Sequence, residues 1–542
     1  MLESRPAQTA RRILLGLGLG VLLGCTDTVE VPREPFNPPV DANSGFLGYF
    51  DVTTKQTTCG NCHSEKHAHW SLTKHASAYA NLVNSNHSQS SCFTCHAVDE
   101  NGNLAAAPAG WNAHQDSTYH DVQCESCHGP GYTHVQSPTI QNIPLAHETV
   151  LKNPHTPGDN SFKKESCGAC HSGSHHGFVE EWAQSGHARP LQEEDGSYVA
   201  DHGSSCASCH EGHGILRAWS VVTNYAERDS AGSDHYFGIT CGVCHDPHGT
   251  AKGSDGNPLP GQLRFPIDVP DVNINLCMKC HQRRPEPDSS GSKGPHSPQG
   301  PLLLGDAGYK PAGFNPDALA PTTHGLSTSN PRLCAGCHVN GFTVTDKLTG
   351  AFTLQTHGHL FRPNPCLDAS GKPVADNSCP HTTTARYWGA CTASGCHGGT
   401  AQVVNAFVKD SATLDTLVKE IWDDKNKNDQ IDAAPTDGGL LADKVHVPDT
   451  NYTNNAITTP AEGAAFNVRM LRVGGKDGSY GVHNPFLSQG LLRANIAELL
   501  AAYPGVTPPP GVSIASLLTA PIGANGTPLR GPLIKTPPAR SR

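Results

Sequence analysis

Eight times between residues 59 and 338 the chain repeats one short pattern, two cysteines three positions apart followed at once by histidine. The copies are "CGNCH" at Cys59, "CFTCH" at Cys92, "CESCH" at Cys124, "CGACH" at Cys167, "CASCH" at Cys206, "CGVCH" at Cys241, "CMKCH" at Cys277 and "CAGCH" at Cys334. Cysteines at i and i+3 share one face of a helical turn. Their sulfurs can therefore reach the two vinyl groups on one edge of a porphyrin while the next residue, histidine, passes under the ring to iron. This is the attachment pattern of c-type haem. A thioredoxin-like pair or a zinc ribbon also uses Cys-x-x-Cys, but neither needs histidine at the next position every time.

The sites implied, numbered in chain order, pair Cys59 and Cys62 with His63, Cys92 and Cys95 with His96, Cys124 and Cys127 with His128, and Cys167 and Cys170 with His171. They continue with Cys206, Cys209 and His210; Cys241, Cys244 and His245; Cys277, Cys280 and His281; and Cys334, Cys337 and His338. A ninth stretch, "CTASGCH" at 391–397, carries two extra residues between Cys391 and Cys396 but leaves Cys396 and His397 in the normal relation. It reads as site 9, against the alternatives of a Cys391–Cys396 disulfide or a zinc site. The count is nine haems c, or eight if this last site is empty.

Haem iron in such chains takes methionine or a second histidine opposite the first. Of three methionines, Met1 lies in the leader and Met278 inside a motif, so only Met470 could serve. Bis-histidine ligation follows as the general rule, and 23 histidines beyond the nine proximal ones are available for it. An internal repeat narrows the choice. "CGNCHSEKHAHWSLTKHASAYANL" at 59–82 matches "CGACHSGSHHGFVEEWAQSGHARPL" at 167–191, with Trp70 and Trp182 each five residues before His75 and His187. "YHDVQCESCHGPGYTH" at 119–134 matches "HYFGITCGVCHDPH" at 235–248. Two three-haem units, about 59–160 and 167–270, are implied. Their equivalent spare histidines are His75, His120 and His134 in the first and His187, His235 and His248 in the second.

The "W-x4-HA" strap, "CESCHGP" and "CHDPHG" resemble a broad class of bacterial multihaem cytochromes c, which includes tetrahaem electron carriers and relatives of hydroxylamine oxidoreductase and ammonia-forming nitrite reductase. The resemblance covers roughly residues 50–400. It implies haem stacking and electron transfer, and leaves any substrate unspecified. Four-residue loops between haem cysteines occur in small tetrahaem carriers similar to this chain in motif type. "GPHSPQGPLLLG" at 294–305 resembles a segment that such proteins use to deliver a distal histidine and nominates His296. His324, ten residues before Cys334, is a second candidate. "DGSYGVHNPFLSQGLL" at 477–492 resembles their "HNP" helix start and nominates His483, expected opposite His397.

The elements needed to position these groups are short. The fold class expected is short α-helices and long loops wrapped around stacked haems, with little β structure. The 542 residues are only 36% hydrophobic, with 56 glycines and 43 prolines, so a protein core alone would be thin. At about 38 residues per haem the porphyrins themselves would be the apolar core, and the haem-free chain largely disordered. Residues 1–24 read as an export signal: Arg11 and Arg12 precede "ILLGLGLGVLLG", too short to span a bilayer. The "LLGC" ending resembles a lipoprotein signal that places a lipid on Cys25. Residues 25–50 read as a Pro-rich tether, 51–400 as the haem region, and 401–542 as a cysteine-free C-terminal region ending in a Pro/Gly-rich tail. Cys366 and Cys379 enclose a short loop and favour a disulfide in an oxidising compartment, a zinc site being the rival.

Formal net charge is −11, without a basic block of the kind that tracks nucleic acid. Nine haems, each with two propionates against one net positive charge at ferric iron, would carry it to about −20 and favour basic partners. The function expected is an electron carrier without chemistry of its own, anchored to a membrane on its periplasmic or outer face. It would exchange electrons with other cytochromes or an insoluble extracellular acceptor. The alternatives are an oxidoreductase acting on nitrite or hydroxylamine at one open haem, for which no Cys-x-x-Cys-Lys motif is present, and a subunit of a cytochrome filament.

Overall fold

A haem motif needs one helical turn and little more, and most of these motifs form one. In the computed structural model, Cys124–His128, Cys167–Cys170, Ser204–His210, Cys241–Cys244 and Cys334–His338 are short α-helices. Cys59–Asn61 and Ser90–Cys95 are 3-10 turns. The structure describes residues 41–535 apart from 42, 104, 145–166, 190, 194–196, 222–237, 288–293, 323, 375–378, 380–382, 394, 444–458, 473–474 and 507–512. The export signal, Cys25, most of the tether, His235 and the last seven residues lie outside the described residues.

Long loops link these turns, and among the described residues the strands form three two-stranded antiparallel ribbons. They pair β1 (Tyr49–Asp51) with β2 (Gln56–Thr57), β3 (Thr343–Thr345) with β4 (Phe352–Gln355), and β5 (Cys366–Leu367) with β6 (Pro373–Val374). The last ribbon is closed by a Cys366–Cys379 disulfide, which removes both residues from any four-cysteine zinc site.

The sequence repeat is also a repeat of contacts. After the first motif comes α1 (Ser64–Trp70), and after the fourth comes α2 (Phe178–Gln184). Trp70 donates its indole N–H to the Val122 carbonyl at 2.9 Å, and Trp182 donates to the Ile239 carbonyl at 2.8 Å. Five residues beyond each tryptophan, the His75 carbonyl accepts from Val122 N–H at 3.1 Å and the His187 carbonyl from Ile239 N–H at 2.7 Å. Val122 and Ile239 each stand two residues before a motif. Each strap therefore fixes its histidine to the approach to the third site of its unit.

The protein core is unevenly distributed. Around the first seven motifs it consists of islands of three or four buried side chains, such as Tyr49, Trp70 and Ala76, or Val179, Trp182 and Ala188. The C-terminal segment instead packs one continuous cluster between α3 (Thr400–Ile421), α4 (Pro460–Leu471) and α5 (Pro485–Ala502), with α6 (Ile514–Thr519) alongside. Leu414, Leu417, Val418 and Ile421 recur at helical spacing and bury one stripe of α3. A capping box between Thr459 and Glu462, with Pro460 at the first helical position, starts α4. Composition alone implied that cofactor would supply the core throughout. The helices after residue 400 have enough apolar surface for a core of their own, and the islands before it do not.

The two regions should respond differently to loss of haem. In protein matured without haem, hydrogen exchange of amides in α3, α4 and α5 is expected to stay slow while amides between 59 and 290 exchange at nearly unprotected rates. Uniform protection across both regions would contradict this division.

Candidate haem sites

A bis-histidine iron imposes a distance. Two metal–nitrogen bonds of about 2 Å in line, plus roughly 1 Å from each nitrogen to its ring centre, separate facing imidazole centroids by about 6 Å. Eight of the nine motif histidines have a second histidine ring at that separation. His63 faces His134 at 6.5 Å, His128 faces His248 at 6.3 Å and His171 faces His75 at 6.3 Å. His210 faces His296 at 5.9 Å, His245 faces His359 at 6.2 Å and His281 faces His187 at 6.3 Å. His338 faces His483 at 6.1 Å, and His397 faces His324 at 6.1 Å. The separation is too wide for ring contact or a hydrogen bond and fits one metal ion between two nitrogens.

A histidine that ligates metal through one nitrogen usually donates the N–H of the other. The rings here are held that way. Nδ1 of His96 meets the Ala78 carbonyl at 2.8 Å, that of His128 the Pro144 carbonyl at 2.9 Å and that of His245 the Gly261 carbonyl at 2.5 Å. His324 is held by the Val482 carbonyl at 2.7 Å and His338 by the Phe361 carbonyl at 2.9 Å. These acceptors fix the Nδ1–H tautomer and leave Nε2 as the free donor. Burial also keeps the rings neutral: it is the largest cause lowering the pKa of His171, His187, His338 and His359 to about 4.

Two distal histidines depend on carboxylates. His483 precedes α5, which Asn484 caps by accepting from Leu487 N–H at 3.0 Å and Pro485 enters at its first position, so the chain direction at His483 is fixed. Its Nδ1 donates to buried Asp477 at 2.6 Å. Burial works against the Asp477 charge, yet His483 and the Ser479 hydrogen bonds outweigh it and hold the carboxyl below its usual range. His359 lies in a loop gathered on Glu181 of α2, whose carboxylate accepts the N–H groups of His357 and His359, each at 2.7 Å. Removing that acceptor would leave buried donors unpaired at about 1–3 kcal/mol each.

The structure brings together His75, His134, His187, His248, His296, His324 and His483 with motif histidines, in pairings that motif order does not give. His75 of the first unit faces site 4, and His248 of the second faces site 3. His483, expected opposite His397, faces His338 instead, and His324 takes the place opposite His397. His120 is not brought to any motif histidine: its ring stacks on Tyr79 at 3.5 Å and 9° and tilts against Trp111. His359 was not singled out in the sequence, because it follows no motif and has no counterpart in the first unit. Its signal would have been the "HGH" of 357–359 as a landing point for Glu181.

The stretched ninth motif keeps the closure of the others. His63, His171 and His245 donate their N–H to the carbonyl of the first motif cysteine at 2.9, 2.7 and 2.8 Å. His397 does the same to Cys391 at 3.2 Å across two more residues. Cys391, Thr392 and Gly395 lie in turns, and the two ends meet as usual.

Residues 58–129, holding the first three motifs, match the sequence model of the family described as cytochrome c554 and c-prime. A curated relative, the multiheme cytochrome MtrA of Shewanella baltica (strain OS185), is 25% identical over 223 residues, which is 36% of this chain and 54% of the relative. The chain is a bacterial multihaem cytochrome c. It thus spans about half the length of the curated relative it matches. Among solved structures, the Outer Cell Wall Cytochrome OcwA aligns over 75% of each chain at 20% identity, with a TM-score of 0.37.

Contacts between motif cysteines order the sites of the cytochrome. Cys59 and Cys124 perturb each other's thiols, bringing sites 1 and 3 together. Burial, then the neighbouring Cys167, pushes the Cys127 thiol up to about 12 and places site 3 beside site 4. His171 of site 4 interacts with His245 and His359 of site 6. Burial and Cys277 push Cys244 up to about 12, joining sites 6 and 7. Cys277 and Cys334 perturb each other's thiols, bringing sites 7 and 8 together, and Cys396 acts on Cys337, bringing sites 8 and 9 together. Sites 2 and 5 lie off this line. Asn101 reaches both Cys95 of site 2 and Cys170 of site 4, and Cys209 and Cys280 of site 7 perturb each other's thiols.

The ninth site gives a direct check. Replacing both Cys391 and Cys396 by alanine is expected to lower the denatured intact mass by one haem beyond the change in side chains. An unchanged haem complement would contradict attachment there.

Proposed function

We propose that this cytochrome is an electron carrier holding nine haems c, attached through the cysteine pairs of sites 1–9, eight of them with a histidine on each face. The observation that carries the proposal is the set of eight opposed imidazole pairs. Where the chain provides both axial nitrogens, no coordination position is left for a substrate. The chemistry that haem supplies is one-electron exchange. The residues hold nine such groups in a line from site 1 through 3, 4, 6, 7 and 8 to 9, with sites 2 and 5 as branches. Proximal and distal histidines from different units stiffen that line, and buried neutral rings keep reorganisation small.

The proposed setting is outside the inner membrane, periplasmic or at the cell surface, with a lipid on Cys25 and the Pro-rich tether holding residues 51–400 clear of the membrane. Among the described residues no helix is long and apolar enough to cross a membrane. Redox proteins with basic docking faces are the partners that the acidic chain fits, other cytochromes among them, and an insoluble extracellular acceptor suits the same placement. Residues 401–542 serve as a buttress that delivers His483 to site 8.

Conversion of nitrite or hydroxylamine would need an open iron, and site 2 is the one candidate among the described residues. Film voltammetry of the holoprotein is expected to give reversible waves and no catalytic current on adding either compound. A sustained catalytic current would contradict the carrier reading.

A further inference from the structure

Site 2 stands apart because no second histidine ring lies about 6 Å from His96 among the described residues. Its proximal side is otherwise prepared: His96 Nδ1 is engaged by the Ala78 carbonyl at 2.8 Å, as carbonyls engage His128, His245 and His338 at sites 3, 6 and 8. The repeat identifies where the missing partner should come from. Site 2 packs against site 4 through Asn101, whose side-chain amide reaches Cys170 Sγ at 3.3 Å and Cys95 Sγ at 3.6 Å. Site 5 packs against site 7 in the same way, Cys209 against Cys280. At site 5 the facing ring is His296, which arrives from the segment after the seventh motif. By the same arrangement, the ring for site 2 should arrive from the segment after the fourth motif, "HSGSHHG" at 171–177, which holds His175 and His176.

Of these two, His175 is engaged elsewhere. Its ring stacks on Phe352 at 4.4 Å and 15°, and its carbonyl accepts from His357 Nε2 at 3.0 Å. The His176 ring stands edge-on to His171 of site 4 at 6.5 Å, on the flank where sites 2 and 4 meet. His96 is among the charges that act on it. Three histidines of the first unit are occupied otherwise. His120 is stacked on Tyr79, His67 engages Thr57 Oγ1 at 3.2 Å, and His114 Nε2 lies 3.5 Å from Asp41.

We infer that His176 is the distal ligand of site 2, giving that iron the same two-imidazole setting as the other eight; the inference rests on the carrier reading above and extends it to the last site. Site 2 would then be a closed electron-storing branch on site 4 and not a substrate site.

The test uses full-length holoprotein as wild type, His176→Ala and His175→Ala, each checked by denatured mass for nine haems, with spin-quantified electron paramagnetic resonance of the ferric state. His176→Ala is expected to gain a high-spin signal of about one haem in nine, which added imidazole returns to low spin, and His175→Ala to match wild type. A wholly low-spin His176→Ala protein with nine haems would overturn the inference. So would a high-spin fraction in wild type that His176→Ala leaves unchanged. A wild-type high-spin fraction that His176→Ala enlarges by one haem would defeat the pure-carrier reading while upholding the ligand. If the alanine variant does not accumulate, His176→Met replaces it: one haem turning from bis-histidine to histidine–methionine character supports the inference, and an unchanged bis-histidine spectrum overturns it.

Discussion

Two imidazoles facing each other across about 6 Å are the constraint on which the rest of this fold depends. Closed by iron as proposed, each pair would cross-link segments far apart in sequence: 96 residues between His75 and His171, 120 between His128 and His248, and 145 between His338 and His483. Such a clamp acts as a disulfide does, restricting the open chain while demanding little of the folded one. This is how a segment with only islands of buried apolar side chains can hold a defined shape. It also explains the abundance of glycine, proline and single helical turns. When the framework is set by ligation, long elements are not needed.

The clamps require accurate delivery, and the chain achieves it with backbone carbonyls and a few buried carboxylates. Carbonyls of Ala78, Pro144, Gly261, Phe361 and Val482 each fix one imidazole tautomer. Glu181 collects the loop that carries His359, and Asp477 orients His483. Asp477 has an electronic role as well, since a carboxylate on Nδ1–H makes the ligand more basic and favours ferric iron. Site 8 should therefore lie lower in potential than a site held by a neutral carbonyl. Because Glu181 sits beside Trp182, one short helix serves both the strap of the second unit and the ligand loop of site 6.

The cysteine and histidine pattern of each proposed site was legible because it is local: two cysteines and a histidine within five residues define their own geometry. So was the stretched ninth motif, whose His397 still closes on Cys391. The repeat was legible too, and the paired bonds from Trp70 to Val122 and from Trp182 to Ile239 are its physical content. The distal half was legible only as a set of candidates. A distal histidine is bound to its iron by no spacing rule, and here the units interlock, so that His75 and His248 cross between them. His120 looked equivalent to its neighbours by position, but Tyr79 offers its ring a flat partner at stacking distance. The C-terminal core was hidden by averaging, since a polar haem region diluted the composition of an ordinary helical bundle.

The opposed pairs hold the motif histidines of eight sites, and the cysteines beside them bring neighbouring sites together. One measurement tests the clamp most directly: the quantified electron paramagnetic resonance spectrum of the oxidised holoprotein at low temperature. Paired imidazoles predict low-spin ferric signals that account for at least eight irons per chain. High-spin signals amounting to two or more irons would contradict the assignment of these histidine pairs as axial ligands.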